Sequence, residues 1–70
     1  MIEIYFQDNP SIEFTTMVKS CEYLQTHAKS LSASCVENVD RQIAIMEDIH
    51  ALEFMFKYPY FVVQSIKHDE

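Results

Sequence analysis

The chain has 70 residues, a formal charge of −6 and a hydrophobic content of 49%, which excludes a disordered chain and fits one small domain spanning residues 1–70. Because eleven acidic residues stand against five basic ones, and phosphate binding depends on Lys and Arg, direct nucleic-acid binding is not expected. No run approaches the roughly 20 apolar residues of a membrane span. Glu3 lies where a signal peptide carries a basic residue, so we expect a cytoplasmic protein.

The sequence contains no glycine. A phosphate-binding loop, a dinucleotide-binding fingerprint and a nucleophile elbow all require glycine, so these enzyme classes are excluded. Cys21 is predicted in the middle of a helix and Cys35 just past the next turn, too far apart for a disulfide. We expect two reduced thiols and no enzymatic activity.

The first half of the chain predicts a strand followed by a long helix. Residues 2–7 alternate between apolar and polar side chains, as in a half-buried strand. A helix is expected over 10–31, because Asn9 can cap it and Pro10 suits its first turn. An alternative interpretation pairs Ile12 and Phe14 with the first strand as a hairpin, with the helix starting at Thr15 or Thr16. The stripe expected to be buried on this helix comprises Phe14, Met17, Val18, Cys21, Leu24, Ala28 and Leu31.

The second half predicts another helix and a closing strand. Apolar residues at helical spacing favour a helix over 36–56 that stops before Pro59. A run rich in β-branched and aromatic residues predicts a strand over 60–67. The stripe expected to be buried on the second helix comprises Val36, Val39, Ile43, Met46 and Ile49, widened by Ile45 and Leu52.

These elements predict an α+β fold of β-α-α-β order, with a helical hairpin packed on a two-stranded antiparallel sheet. A lone two-stranded sheet is marginal in water, and its open edges invite further pairing. We therefore expect a homodimer that completes the fold, formed either through a continuous four-stranded sheet or through the helical hairpins.

One pattern with metal-binding chemistry is an E-x-x-H on the second predicted helix. Glu47 and His50 are three residues apart and share a helical face, as in di-iron helical bundles. The same pattern arises often by chance, and neither Cys nor His occurs at the close spacing of a zinc site. We expect no cofactor and keep Glu47 and His50 as metal-ligand candidates for a helical dimer.

Two surface features are candidates for partner binding. Acidic residues form one edge of the second helix, where they could dock on a basic partner. Five aromatic residues follow as an aromatic block: Phe54, Phe56, Tyr58, Tyr60 and Phe61. They cannot all face one core, so some are candidates for an interface. The acidic candidates are Glu37, Asp40, Glu47 and Asp48, and the aromatic ones are Phe56, Tyr58 and Tyr60.

The sequence therefore favours a small acidic modulator, adaptor or inhibitor that binds itself and another protein with a basic surface. Its size and charge are typical of phage and mobile-element accessory proteins that act on host factors. The alternative function is a DNA-associated regulator or antitoxin-like dimer, which the absence of a basic helix face disfavours.

Overall fold

A computed structural model of the protein describes residues 1–31 and 42–68. The fold is α+β, as the sequence predicts, with two helices packed on an antiparallel sheet. The elements in chain order are β1 (Ile2–Phe6), α1 (Phe14–His27), β2 (Ser30–Leu31), β3 (Gln42–Met46), α2 (Asp48–Lys57), a short 3-10 helix (Pro59–Phe61) and β4 (Val62–Lys67).

The sheet has four strands in the order β2-β3-β1-β4, where the sequence predicted two. β1 lies in its interior: Ile4 pairs with Ala44 of β3 on one side and with Ser65 of β4 on the other. The pairing of the first and last strands is confirmed, but β3 accompanies them. The expectation of a dimer rested on an incomplete two-stranded sheet, so it loses that premise and stays a prediction.

The helix predicted over 36–56 is wrong for residues 42–46, which form β3, while residues 32–41 lie outside the described part of the chain. Gln42, Ala44 and Met46 are buried, whereas Ile43 and Ile45 between them are half-buried. These residues pair with β1 at five positions, and one face of the strand is buried. This pairing and burial outweigh the helical spacing that the residues share with the following helix.

The first helix is shorter than predicted at both ends. Asn9 closes a local turn, because its side-chain oxygen accepts a hydrogen bond from the Ser11 amide at 3.0 Å and its carbonyl accepts one from Ile12 at 3.0 Å. α1 then begins at Phe14, so neither the helix start at residue 10 nor the hairpin alternative is correct. The helix ends at His27, and the residues after it turn into β2.

Both helices cover the same face of the sheet. The buried core comprises Ile2, Ile4, Phe6, Cys21, Leu24, Ala44, Met46, Ala51, Phe54 and Phe61. No residue in the described ranges has a positive φ, so the turns seen there form without glycine. Neither described helix is long and apolar enough to cross a membrane.

The outer edge of β4 carries features that discourage pairing with another strand. The pairing of β4 with β1 shifts its register between Tyr5 and Phe6, and Lys67 lies at the exposed end of β4. Bulges and edge lysines are common protections against edge-to-edge association. A dimer formed by extending the sheet at this edge therefore gains no support from the fold.

Candidate functional site: the outer face of the second helix

Helix α2 presents apolar side chains on two faces, and the sheet covers one of them. Ala51 and Phe54 are completely buried. On the other face, Ile49, Leu52 and Phe56 are 71%, 58% and 87% exposed. Their spacing of three and four residues places them in one row along the helix, which we call the outer stripe.

The direction of the outer stripe is fixed by contacts on the buried face. The Phe54 ring meets Phe6 of β1 edge-on, with ring centroids 6.3 Å apart, and contacts Tyr23 of α1 at 6.0 Å. A rotation of α2 that buried Phe56 would withdraw Phe54 from the core. The sequence-based placement of Ile49 and Leu52 in the buried stripe is therefore wrong.

Ion pairs lie at both ends of α2, and the pair at its start joins the helix to the rest of the fold. Asp48, in the first turn, lies 2.8 Å from the amino group of Met1 and 3.5 Å from the Lys67 ammonium. Glu53 pairs with Lys57 one turn later at 3.0 Å. Acid at the start of a helix and base at its end both suit the helix dipole.

The aromatic block divides between core and surface. Phe54 and Phe61 are buried, and Tyr58 is half-buried with its ring 5.4 Å from that of Phe54. Phe56 and Tyr60 remain exposed, and the Tyr60 carbonyl accepts a hydrogen bond from the Asn9 side chain. The aromatic candidates therefore separate into a core residue, Tyr58, and two surface residues.

The two described acids of the acidic edge are paired with cations of the same chain. Glu47 pairs with Lys29, Asp48 with the Met1 amino group and Lys67, and both acids lie on the surface. Hydrogen bonding by Lys29 lowers the pKa of Glu47, and hydrogen bonding by the amino terminus lowers that of Asp48. Glu37 and Asp40 lie outside the described residues. The acids seen on α2 are therefore not a bare negative surface.

The side chains of the two metal-ligand candidates, Glu47 and His50, contact different residues. The Glu47 carboxylate contacts Lys29, while the His50 ring stacks on His27 with centroids 4.1 Å apart. In residues 1–31 and 42–68 no group of three His, Cys, Asp or Glu side chains converges to hold a metal ion.

The Cys21 thiol is free and buried, beside a cavity of about 10 Å³ that Phe6, Met17 and Gln42 help to line. Such a cavity holds one water molecule and no substrate. Cys35 falls outside the described ranges.

Ile49 and Leu52 are the surface residues that sequence reasoning missed. A signal for them exists: Ala51, Phe54 and Tyr58 repeat at the same helical spacing as the outer stripe. Two apolar rows on one short helix indicate that one row faces away from the sheet.

No family model, curated protein or solved structure matches this chain.

Proposed function

We propose that this protein is a small acidic modulator that acts by binding another protein through the outer stripe of α2, which inserts Ile49, Leu52 and Phe56 into an apolar groove of the partner. The observation that carries the proposal is the exposure of these three side chains in one row. Helices recognised in grooves present their anchors at this spacing of three, four and seven residues.

The size of the surface supports this proposal. An aromatic side chain offers about 150–250 Å² of contact area, so Phe56 with Ile49 and Leu52 reaches the few hundred Å² that mark interaction sites. Phe56 is the most exposed large apolar residue in the described chain. An exposed side chain of this kind contributes little to the stability of the fold, and its burial against a partner would contribute most to the free energy of binding.

The charge of the molecule indicates the character of the partner. Although the acids of α2 are paired locally, the chain keeps a net charge of −6, whose field favours a groove with a basic rim. Three of the four lysines, Lys29, Lys57 and Lys67, are engaged by acids. This use of the lysines disfavours the alternative function of a DNA-associated regulator.

The test compares two exposed phenylalanines. Phe56 lies on the outer stripe, and Phe14, 73% exposed, begins α1. Tagged wild type, Phe56→Ser and Phe14→Ser are used to capture proteins from a lysate of the cells that produce the chain, after circular dichroism shows equal folding. We expect one basic protein to bind wild type and Phe14→Ser, and its recovery to fall more than about tenfold with Phe56→Ser, as for a hot-spot residue.

The other outcomes contradict the proposal. A protein retained equally by all three chains would place the binding site elsewhere, and the absence of any Phe56-dependent partner would remove the proposed function. If the wild type is a dimer by light scattering and Phe56→Ser is a monomer, the outer stripe binds a second copy of the chain, which matches the helical form of the predicted homodimer and contradicts a different partner at this surface.

A further inference from the structure

A carboxylate lies directly beside the outer stripe. Each residue advances by about 100° around an α-helix, which places Glu53 about 40° from Ile49, at the border of the stripe. Glu53 also precedes Phe56 by three residues, the spacing at which helical side chains are neighbours. The Glu53 side chain is 44% exposed and Phe56 is 87% exposed. An accessible acid and an accessible aromatic ring therefore stand next to each other on α2.

The cation that Glu53 holds lies on the side away from the outer stripe. The Lys57 ammonium is 3.0 Å from the Glu53 carboxylate and 5.9 Å from the centre of the Tyr23 ring of α1. It therefore approaches from the α1 side, opposite to Ile49 and Phe56. Hydrogen bonding by Lys57 is the largest cause that lowers the pKa of Glu53, so the carboxylate is ionised at neutral pH. Because exposed pairs of this kind contribute little, a second cation can share the carboxylate.

The acid on the opposite border of the outer stripe is more fully occupied. Asp48, one turn before Leu52, lies 2.8 Å from the Met1 amino group and 3.5 Å from the Lys67 ammonium. Within the described ranges, Lys57 is the one cation at ion-pair distance from Glu53. Of the two carboxylates that border the stripe, Glu53 is therefore the better acceptor for a cation from another molecule.

A partner that covers the outer stripe also removes water from the Glu53 carboxylate. An ionised carboxylate accepts up to about four hydrogen bonds, and leaving it without donors after burial is unfavourable. The partner must therefore supply donors at this point. Arginine suits the position, because its guanidinium carries five donors, is weakly hydrated, and stacks on aromatic faces such as that of Phe56.

We propose that Glu53 and Phe56 form a binding site for an arginine side chain of the partner, whose guanidinium bonds to the carboxylate and lies against the ring. This inference rests on the proposed function and names the group that the outer stripe recognises. The net charge of −6 favours the approach of such a cation. Ile49 and Leu52 then contact apolar residues of the same groove.

Phe14 provides an internal comparison for this site. It is 73% exposed on α1, but it has no acid at the helical spacing that joins Glu53 to Phe56. The residues three and four positions from Phe14 are Pro10, Ser11, Met17 and Val18. We therefore expect an exposed ring alone, as at Phe14, to bind a guanidinium less tightly than the pair on α2.

The site is tested on the full chain with octylguanidinium chloride as the probe. Octylammonium chloride, which has the same alkyl chain and charge, is the comparison, and binding is followed by NMR at pH 7. We expect octylguanidinium to shift the ring signals of Phe56 and the amide signal of Glu53. Its Kd should be about two- to fivefold lower than that of octylammonium, the gain expected from stacking on an exposed ring.

Matched variants separate the site from general attraction by the negative chain. Glu53→Gln and Glu22→Gln remove the same charge from exposed positions of α2 and α1. We expect Glu53→Gln to raise the Kd for octylguanidinium by about three- to tenfold and Glu22→Gln to leave it almost unchanged. Phe56→Ser should also weaken binding, whereas Phe14→Ser should not. An equal loss from both Gln variants, equal binding of the two probes, or shifts centred on Phe14 would overturn the proposal.

The probe requires no partner, so this experiment and the capture experiment fail separately. If a protein is captured through Phe56 and the probe does not bind at Glu53, the proposed function stands and the arginine site is wrong. If the probe binds and no protein depends on Phe56 for its capture, the proposed function is wrong, and so is the assignment of the site to an arginine of a partner.

Discussion

The two helices cover the same sheet face and differ on their outer sides. α1 presents Lys19, Glu22 and Gln25 to solvent, the usual arrangement for a surface helix. α2 presents Ile49, Leu52 and Phe56 instead. Since the inner faces of both helices are buried in the same core, the fold does not require apolar residues on the outer side of α2. The comparison separates residues that build the fold from residues available to a partner.

The largest expected effect tests whether the two faces of α2 differ in their contribution to stability, by truncating two phenylalanines of α2 that lie two residues apart. Phe54→Ala should lose about 3–5 kcal/mol, because it empties the centre of the core. Phe56→Ala should change the free energy of unfolding by less than about 0.5 kcal/mol, as exposed positions do. Urea titrations followed by circular dichroism measure both, and a similar loss from both would contradict the assignment of faces.

The sheet layer beneath both helices can be tested by overpacking. Ala44 of β3 is completely buried, so Ala44→Leu should cost about 1–3 kcal/mol of stability. Gln64→Leu, at an exposed position of β4, serves as the matched control and should leave stability almost unchanged. A tolerated leucine at position 44 would contradict the central position of β3.

The contact between the helices should contribute less. Tyr23→Phe removes the hydrogen bond to the His50 carbonyl but keeps the ring, so we expect a loss of about 0.5–1.5 kcal/mol. Burial has the largest effect in raising the pKa of the Tyr23 phenol, followed by the charge of Glu53. Tyr60→Phe, at an exposed tyrosine, is the control. Thermal unfolding at pH 7 compares the two, and equal midpoints would argue against the bond.

The smallest effect should come from the surface ion pair of α2. Lys57 lowers the pKa of Glu53 from its ordinary 4.5, so the pair stabilises the fold above that value and loses its effect as the pH falls through the lowered pKa. Glu53→Gln should flatten the decline in the urea midpoint between about pH 5 and 3, and about 0.5 M NaCl should do the same in the wild type. Glu13→Gln should leave the decline unchanged; if it also flattened the decline, Glu53 would not be its source.

The sequence predicts the elements whose periodicity is unambiguous. Strand β1 alternates cleanly, β4 is rich in β-branched residues, and Cys21 and Leu24 of α1 are buried as expected. β3 is hidden because Gln42 occupies an inward position and isoleucines occupy the other face, so no alternation of polar and apolar residues appears. Its partner β1 lies far away in the sequence, and local patterns carry no information on that pairing.

The candidate site could be anticipated in part. The excess of aromatic residues pointed to an interface, but which aromatics stay exposed depends on the rotation of α2, which Phe54 fixes by its contacts with Phe6 and Tyr23. The acidic edge was visible in the sequence, but its cations were not. Lys29 and Lys67 reach Glu47 and Asp48 only through the tertiary fold.

The interior position of β1 also has a consequence for the order of folding events. Ile4 meets Ala44 and Ser65, both far along the chain, so neither edge of β1 has a local partner. Closing such long loops is slow compared with forming a helix from neighbouring residues. During synthesis α1 can form early, while the two edges of β1 stay unpaired until β3 and β4 leave the ribosome. The nascent chain therefore passes through a period in which β1 is open to chaperones and to aggregation.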